Sequence, residues 1–345
     1  MGATSNWNIS DADFPTSGTP RQRLGFAVKQ AMLVSPECPW QPCEFRMSEH
    51  FVELIAKDGP RAESFDPEGR ETMISCGVSL QYLKLALKHH RCLGRVEFFP
   101  DLDEPALVAR IHVGCSGERD AQESRLFEVM KPSRTNSFWP DRSQATEKTL
   151  DTLACALARE RGWLEFARSE ASRQRLQRFA SARERLQVDE VRFQDETPTW
   201  ATADGWESDR FISSFLHERP ARWRRPQLAL RVQTSSKTTY DLLEEGEFMS
   251  SAGTFAVLKT KTDDKHGWVA AGQTMARLIL RARTLGLSYT FFNEVLRRPA
   301  VRAELRTGIG HKGFVQAIVR FEDVQPETYA QTEITHQAAA TADSA

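Results

Sequence analysis

Apolar positions first fall into a helical repeat in RLGFAVKQAMLV, where they collect on one face. A Pro-rich loop, SPECPWQPC, follows and leads into two short alternating runs, EFRMSE and HFVELIAKD, with strand and hairpin character. The turn residues of DPEGRET then introduce MISCGVSLQYLKLALKHH, which is apolar on most faces and is expected to be a buried helix. A second helix of this kind, WVAAGQTMARLILRARTLGL, comes late in the chain. Setting Gly77 against Gly272 without gaps also aligns Leu80 with Met275, Leu83 with Leu278 and Leu85 with Leu280. Each helix is followed by an aromatic run, VEFF or YTFF, and then by a segment with Pro and Arg, EPALVAR or RPAVRAEL. Such self-similarity predicts two equivalent half-units about a pseudo-twofold axis, the arrangement a homodimer would have. Two buried Leu-rich helices that align only by composition remain the alternative.

The ends and the middle have a different pattern. MGATSNWNISDADFPTSGTP lacks the periodicity of a packed element, and residues 1–20 are expected to form a mobile arm. The small polar residues of HQAAATADSA lead to the same expectation of disorder for residues 326–345. Between them, residues 21–125 make a first half-unit and 126–325 a second that includes a helical linker. RQRLQRFASARERLQVDEVRF, in the linker, interleaves acids with bases and predicts an exposed, salt-bridged helix rather than a nucleic-acid surface. ARWRRP, with Trp223 between arginines, fits a solvated loop better than a phosphate site.

Composition adds exclusions. Basic and acidic residues number 46 and 47, so no global charge steers the protein toward nucleic acid or an anionic membrane. No run approaches the ~18 apolar residues of a spanning helix and the N-terminus lacks a signal-peptide pattern, so the expectation is a cytoplasmic protein. Six cysteines, at 38, 43, 76, 92, 115 and 155, are read as thiols, and no zinc-like pairing follows Cys38 and Cys43. His89 and His90 sit at a helix end, where a cation suits the macrodipole, and capping is preferred there over metal binding. Asp263 and Asp264 are read as N-terminal caps. GIGHKG has the wrong spacing for a dinucleotide fingerprint, and neither GxSxG nor HExxH occurs.

Taken in order, the apolar helix, the loop ending QPCEF, DPEGRE leading into ISCGVSL, and TDDKHGWVAAGQTMARLILRARTLGL resemble the tandem-fused nitroreductase-like flavoproteins of the mycobacterial Acg type. LFEVMKPSRTNSFWPDRSQATEKTLDTLACALARERGWLEF and the terminal GIGHKGFVQAIVRFE also fall in that branch's order, so the resemblance spans roughly Leu24 to Glu322. It implies an α+β, three-layer sandwich in which two half-units form an intramolecular pseudo-dimer and bind FMN at their junction. Gln41 and Pro42 match the loop that lines the flavin, with Pro39 at an Asn position and Cys43 at a Trp position. Thr135 and Asn136 match the central pair of an RRHTNRRPF-like segment, flanked by Ser133, Arg134 and Ser137. Gly286 and Ser288 fall where main chain approaches the flavin face, although Gly286 reads equally well as a helix C-cap. Lys312 and Arg320 are candidates for positive charge from the second half-unit, since charge-assisted bonds hold phosphate and reduced flavin.

The activity implied is FMN-dependent oxidoreduction, with hydride passing through flavin N5 to or from an organic or modified-peptide substrate and NAD(P)H as a candidate donor. No protein acid or base is assigned. The substitutions at Pro39, Cys43, Ser133 and Ser137 keep two alternatives open: a degenerate flavin-binding or scaffold protein without turnover, and a biosynthetic enzyme with a reshaped pocket. Because each chain would carry both half-units, a monomer suffices.

Overall fold

A computed structural model describes residues 10–32, 43–57, 66–115, 117, 120–130, 145–158, 160–181, 253–287, 289–309 and 312–322. Residues Met1–Arg173 and Gly253–Ala345 form one compact unit and Gln174–Ala252 another. The account below concerns the first.

Helix α1 (Pro20–Met32) buries Leu24, Ala27, Val28 and Ala31, the i, i+3, i+4, i+7 stripe of an amphipathic helix. Strands β1 (Cys43–Met47) and β2 (Phe51–Ala56) form an antiparallel hairpin. Helix α2 (Arg70–His89) follows, then β3 (Leu93–Phe98) and β4 (Leu107–Val113). Helix α3 (Ala121–Met130) leads to α4 (Glu147–Leu157) and β5 (Gly162–Phe166), and α5 (Glu170–Ser181) runs into the second unit. The chain returns as β6 (Gly253–Thr260), α6 (Lys265–Thr284), β7 (Tyr289–Phe291), α7 (Pro299–Gly308) and β8 (Phe314–Glu322).

The strands make two four-stranded antiparallel sheets, one ordered β1-β2-β4-β3 and the other β5-β6-β8-β7. Each sheet is thus a hairpin-like pair, a long helix, and a second pair whose last strand inserts beside the second. The helices α2 and α6 are buried along most of their lengths, and one continuous apolar core joins α1, α2, α6 and both sheets. The arrangement is α+β, and among the described residues no helix is long and apolar enough to cross a membrane.

Caps explain where the two central helices start and stop. Asp66 accepts from the backbone N–H groups of Glu71 (2.9 Å) and Thr72 (2.8 Å), and Gly69 takes the left-handed conformation before α2 (φ 69). Asp264 caps α6 as expected, accepting from Gly267 N–H at 2.8 Å. Across the first sheet, the directly opposed Arg46, Glu53, Arg110 and Glu97 form a charge ladder, with Glu53 taking a bond from each arginine.

Two expectations change. The arm expected through residue 20 is docked from residue 10 onward: Ser10 caps a 3-10 turn at Asp11–Asp13, and Phe14 stacks on His90 with centroids 3.9 Å apart. Its polar composition hid Phe14 as an anchor. EPALVAR and RPAVRAEL are not structural equivalents, because LVAR lies in β4 whereas Pro299 opens α7 at the position where its missing N–H costs nothing. The counterpart of β4 in the second sheet is β8. Residues 1–9, 182–252 and 323–345, including ARWRRP and the expected tail, lie outside the described residues.

Candidate functional site

The place where chemistry-bearing side chains from both sequence halves meet is the crossing of α2 and α6. Its centre holds only glycine. A Cβ on Gly77 would sit 2.2 Å from the Val269 carbonyl oxygen, and one on Gly272 would sit 1.9 Å from that of Ile74. Each glycine therefore faces the carbonyl three residues before the other, and any side chain would strike backbone that has no room to yield.

Beside this crossing, at the start of β1, Cys43 Sγ lies in hydrogen-bond contact with Cys76 and with Ser79 Oγ, 3.4 Å away. The bond from Cys76 outweighs burial, and Ser79 and the Lys57 charge add to it, so Cys43 titrates below the ordinary thiol range. The five described cysteines are all thiols, as expected, and Cys38 lies outside the described residues.

Toward the N-termini of the two helices runs a buried polar network. Arg70 donates to Gln316 through Nε (3.1 Å to Oε1) and through NH2 (2.5 Å to the main-chain oxygen). Gln316 Nε2 donates to Thr260 Oγ1 at 3.0 Å and to Asp263 Oδ1 at 3.1 Å. Asp263 also accepts from Trp268 Nε1 (2.7 Å) and Arg302 Nε (3.3 Å), and Arg302 reaches Glu68 at 2.5 Å and the Leu296 carbonyl at 2.8 Å. Asp263 is thus no helix cap, which corrects the sequence expectation; Asp264 alone caps α6, because Asp263 is drawn to the indole and the two guanidinium groups. Burial raises the Asp263 carboxyl, but Trp268, Gln316, Arg302 and Arg70 outweigh it and hold it below its ordinary value.

A second polar seam lies along the other half of the crossing. Lys84 Nζ donates to Gln273 Oε1 at 2.8 Å, and Arg277 bridges Glu123 (2.5 Å) and Glu160 (2.9 Å). Burial first, then the neighbouring Lys88 and Arg277 charges, lower Lys84 to about 8.

The residues expected to hold a cofactor are distributed unevenly. Gly286 follows α6 with φ 68, and Leu287 N–H returns to the Ala282 carbonyl at 2.9 Å, so it is the C-cap glycine that one of its two readings required. Arg320 lies buried on β8, its guanidinium 5.7 Å from the Phe292 ring and its stem alongside Gly253. Strand alternation puts Arg320 on the face opposite Ala317, Val319 and Phe321, which belong to the main core. Gly286 lies just before β7, whose Thr290 pairs with Arg320, so these two share one end of the second sheet. Lys312 is exposed before β8, and at ~3.3 Å per residue it lies on the order of 20–25 Å from Arg320. One bound group cannot use both in the same role. Gln41, Pro42, Ser133, Arg134, Thr135, Asn136 and Ser288 lie outside the described residues, as do Pro39 and Ser137.

Sequence reasoning missed Arg70, Gln316 and Arg302. One signal was available for Arg70: a cation in the first turn of a buried helix opposes the macrodipole and requires a compensating partner. Gln316 carried none, since a glutamine in an alternating strand is ordinarily read as solvent-facing.

No family model matches the chain. Two Mycobacterium tuberculosis proteins, from strain CDC 1551 / Oshkosh and strain ATCC 25618 / H37Rv, bear the provisional name NAD(P)H nitroreductase (MT3217 and Rv3131). Each is 24% identical to this chain over 319 residues, covering 89% of it and 86% of the relative. The similarity is distant but runs through both sheets, and it supports a nitroreductase-like oxidoreductase family.

Proposed function

We propose that the protein is an FMN-dependent oxidoreductase of the nitroreductase type, built as an internal pseudo-dimer and supplied with electrons by NAD(P)H. The observation that carries this reading is the repeat: two sheets with one strand order, flanking α2 and α6, which meet glycine to glycine with reciprocal carbonyl contacts. A crossing in which each partner makes the other's contact is what a twofold interface would produce, and it supports the pseudo-dimer reading. The relatives named for NAD(P)H nitroreduction, matching 89% of the chain, supply the chemistry.

Two of the described residues support a flavin nucleotide. Arg320 is a buried guanidinium at one end of the second sheet, and Gly286 brings bare main chain to the same end. FMN bound there would supply two-electron transfer to and from organic substrates. Arg320, with Ser133, Arg134, Thr135 and Asn136, would bind anionic oxygens of the cofactor through charge-assisted bonds. Gln41 and Pro42 would line the ring, and Gly286 and Ser288 would admit it close to the backbone. Cys43, where the family carries an aromatic residue, would offer the ring a smaller wall beside Ser79. Lys312 has no part in this arrangement.

The test is the visible absorption spectrum of the purified full chain before and after incubation with excess FMN and desalting. A retained flavin spectrum that bleaches with NADPH or NADH is the expected outcome. A colourless protein that cannot be reconstituted overturns the reading and favours the non-redox scaffold that Pro39, Cys43, Ser133 and Ser137 left open.

A further inference from the structure

At the C-terminus of α2, three ligand-type side chains converge. His89 is the last residue of α2, and His90 leaves the helix with φ −86 and ψ 7. Successive residues within a helix do not face one another. Here the helix ends between the two, so that His89 pairs with the carboxylate of Asp11 in the N-terminal 3-10 turn and the His90 ring lies near it. One ligand atom from each of Asp11, His89 and His90 lies within 4.8 Å of the other two, and His89 Nε2 stands 3.2 Å from Asp11 Oδ2.

We propose that Asp11, His89 and His90 form a binding site for one divalent transition-metal ion of the zinc type, with water completing its coordination. Two imidazoles and a carboxylate are a borderline donor set suited to such an ion. At zinc–ligand distances of ~2.0–2.1 Å, tetrahedral neighbours stand about 3.4 Å apart, so the present spacing needs only small side-chain rotations to close. Supporting groups hold the ligands in place. Gln30 donates from Nε2 to Asp11 Oδ1 at 3.1 Å and meets His90 Nε2 through Oε1 at 2.9 Å, the bridging contact that orients metal ligands elsewhere. His89 stacks on Phe127 and His90 on Phe14, with centroids 3.8 and 3.9 Å apart, which fixes both ring planes. The carbonyl end of α2 favours a cation, and the nearest lysine on that helix, Lys88, is engaged by Glu123. Bound metal would clasp Ser10–Phe14 to α1 and α2. None of its ligands is among the residues proposed for the flavin.

The experiment is a Zn(II) titration of the chelator-stripped full chain against a chromogenic competitor, with thermal unfolding recorded in parallel. One tightly held equivalent that raises the melting temperature is expected. His89→Phe and His90→Phe keep the ring stacks while removing ligands, and Asp11→Ala removes the carboxylate, with its contacts to Gln30 and His89, while leaving the backbone of the turn. Each should lose the bound equivalent and the thermal shift, while Gln30→Ala should weaken binding by about 10–100-fold. No bound equivalent in the parent protein, or zinc uptake unchanged in all three ligand variants, overturns the proposal.

Discussion

Replacing Lys84 with Met should stabilise the protein at neutral pH. Lys84 belongs to α2, and its ammonium is hemmed in by Gln273 on α6, with Lys88 and Arg277 repelling it and Glu160 and Glu123 attracting it. The net effect lowers its pKa from 10.5 to about 8. A difference of that size, at 1.36 kcal/mol per unit, means the charged form costs the fold up to about 3 kcal/mol, an upper limit because Lys84 keeps some contact with water. Against this stands the bond to Gln273, whose loss costs about 1–2 kcal/mol. Lys84→Met is thus expected to gain about 1–2 kcal/mol at pH 7. The sign with pH follows from the lowered folded-state value. Between about 8 and 10.5 the unfolded chain binds the proton and the folded chain does not, so parent stability rises across that window. The advantage of the variant should be full below pH 8, shrink above it, and give way to the lost hydrogen bond beyond pH 10.5. Urea midpoints of both proteins at pH 7 and pH 10 measure the difference directly, since other titrating groups cancel. A variant less stable than the parent at pH 7, or a difference that does not move with pH, refutes the reasoning.

Gly272→Ala places a Cβ against the Ile74 carbonyl at 1.9 Å and should destabilise by about 3 kcal/mol, net of the ~1 kcal/mol helix-propensity gain, in urea unfolding. Asp263→Asn removes the charge that Arg302 and Arg70 face, and should cost about 2–3 kcal/mol at pH 6. Because Asp263 sits below its ordinary 3.8, its contribution is present above that pH and lost as pH falls further, so parent and variant should converge in acid-unfolding curves. Arg320→Ala should reduce retention of FMN after desalting by about tenfold or more, whereas Lys312→Ala should leave it unchanged; the opposite ranking would move the site to the other end of β8.

Most elements were legible because their periodicities are strong. The stripe of α1, the near-continuous apolar runs of α2 and α6, and the alternation in β1 and β2 each have one low-energy reading. Side-chain partnerships were not legible. Asp263 and Asp264 are neighbours of one residue type, yet one joins a buried network and the other caps a helix, and Trp268 with the distant Gln316 and Arg302 distinguishes them. His89 and His90 read as a capped helix end because Asp11, which faces them, lies in a stretch whose composition resembles a free arm. The cofactor candidates lay mainly in the sequence following α1 and α3, outside the described residues, where family resemblance rather than periodicity carried the reading.

The repeat shows where sequence retains a record of structure. Gly77 and Gly272 align without gaps through the neighbouring leucines, and here the two helices press on each other at backbone distance. A substitution there meets carbonyl oxygen, so the pattern is tied to the contact. Elsewhere the halves are free to differ. The three-residue link between β1 and β2 corresponds to residues 167–252 between β5 and β6, and the short connection between β3 and β4 corresponds to one carrying α7. Strand order is the same in both sheets despite these differences in connection length. Sequence comparison therefore finds the helices, loses the sheets, and mistakes RPAVRAEL for EPALVAR, although the paired strands repeat one topology throughout.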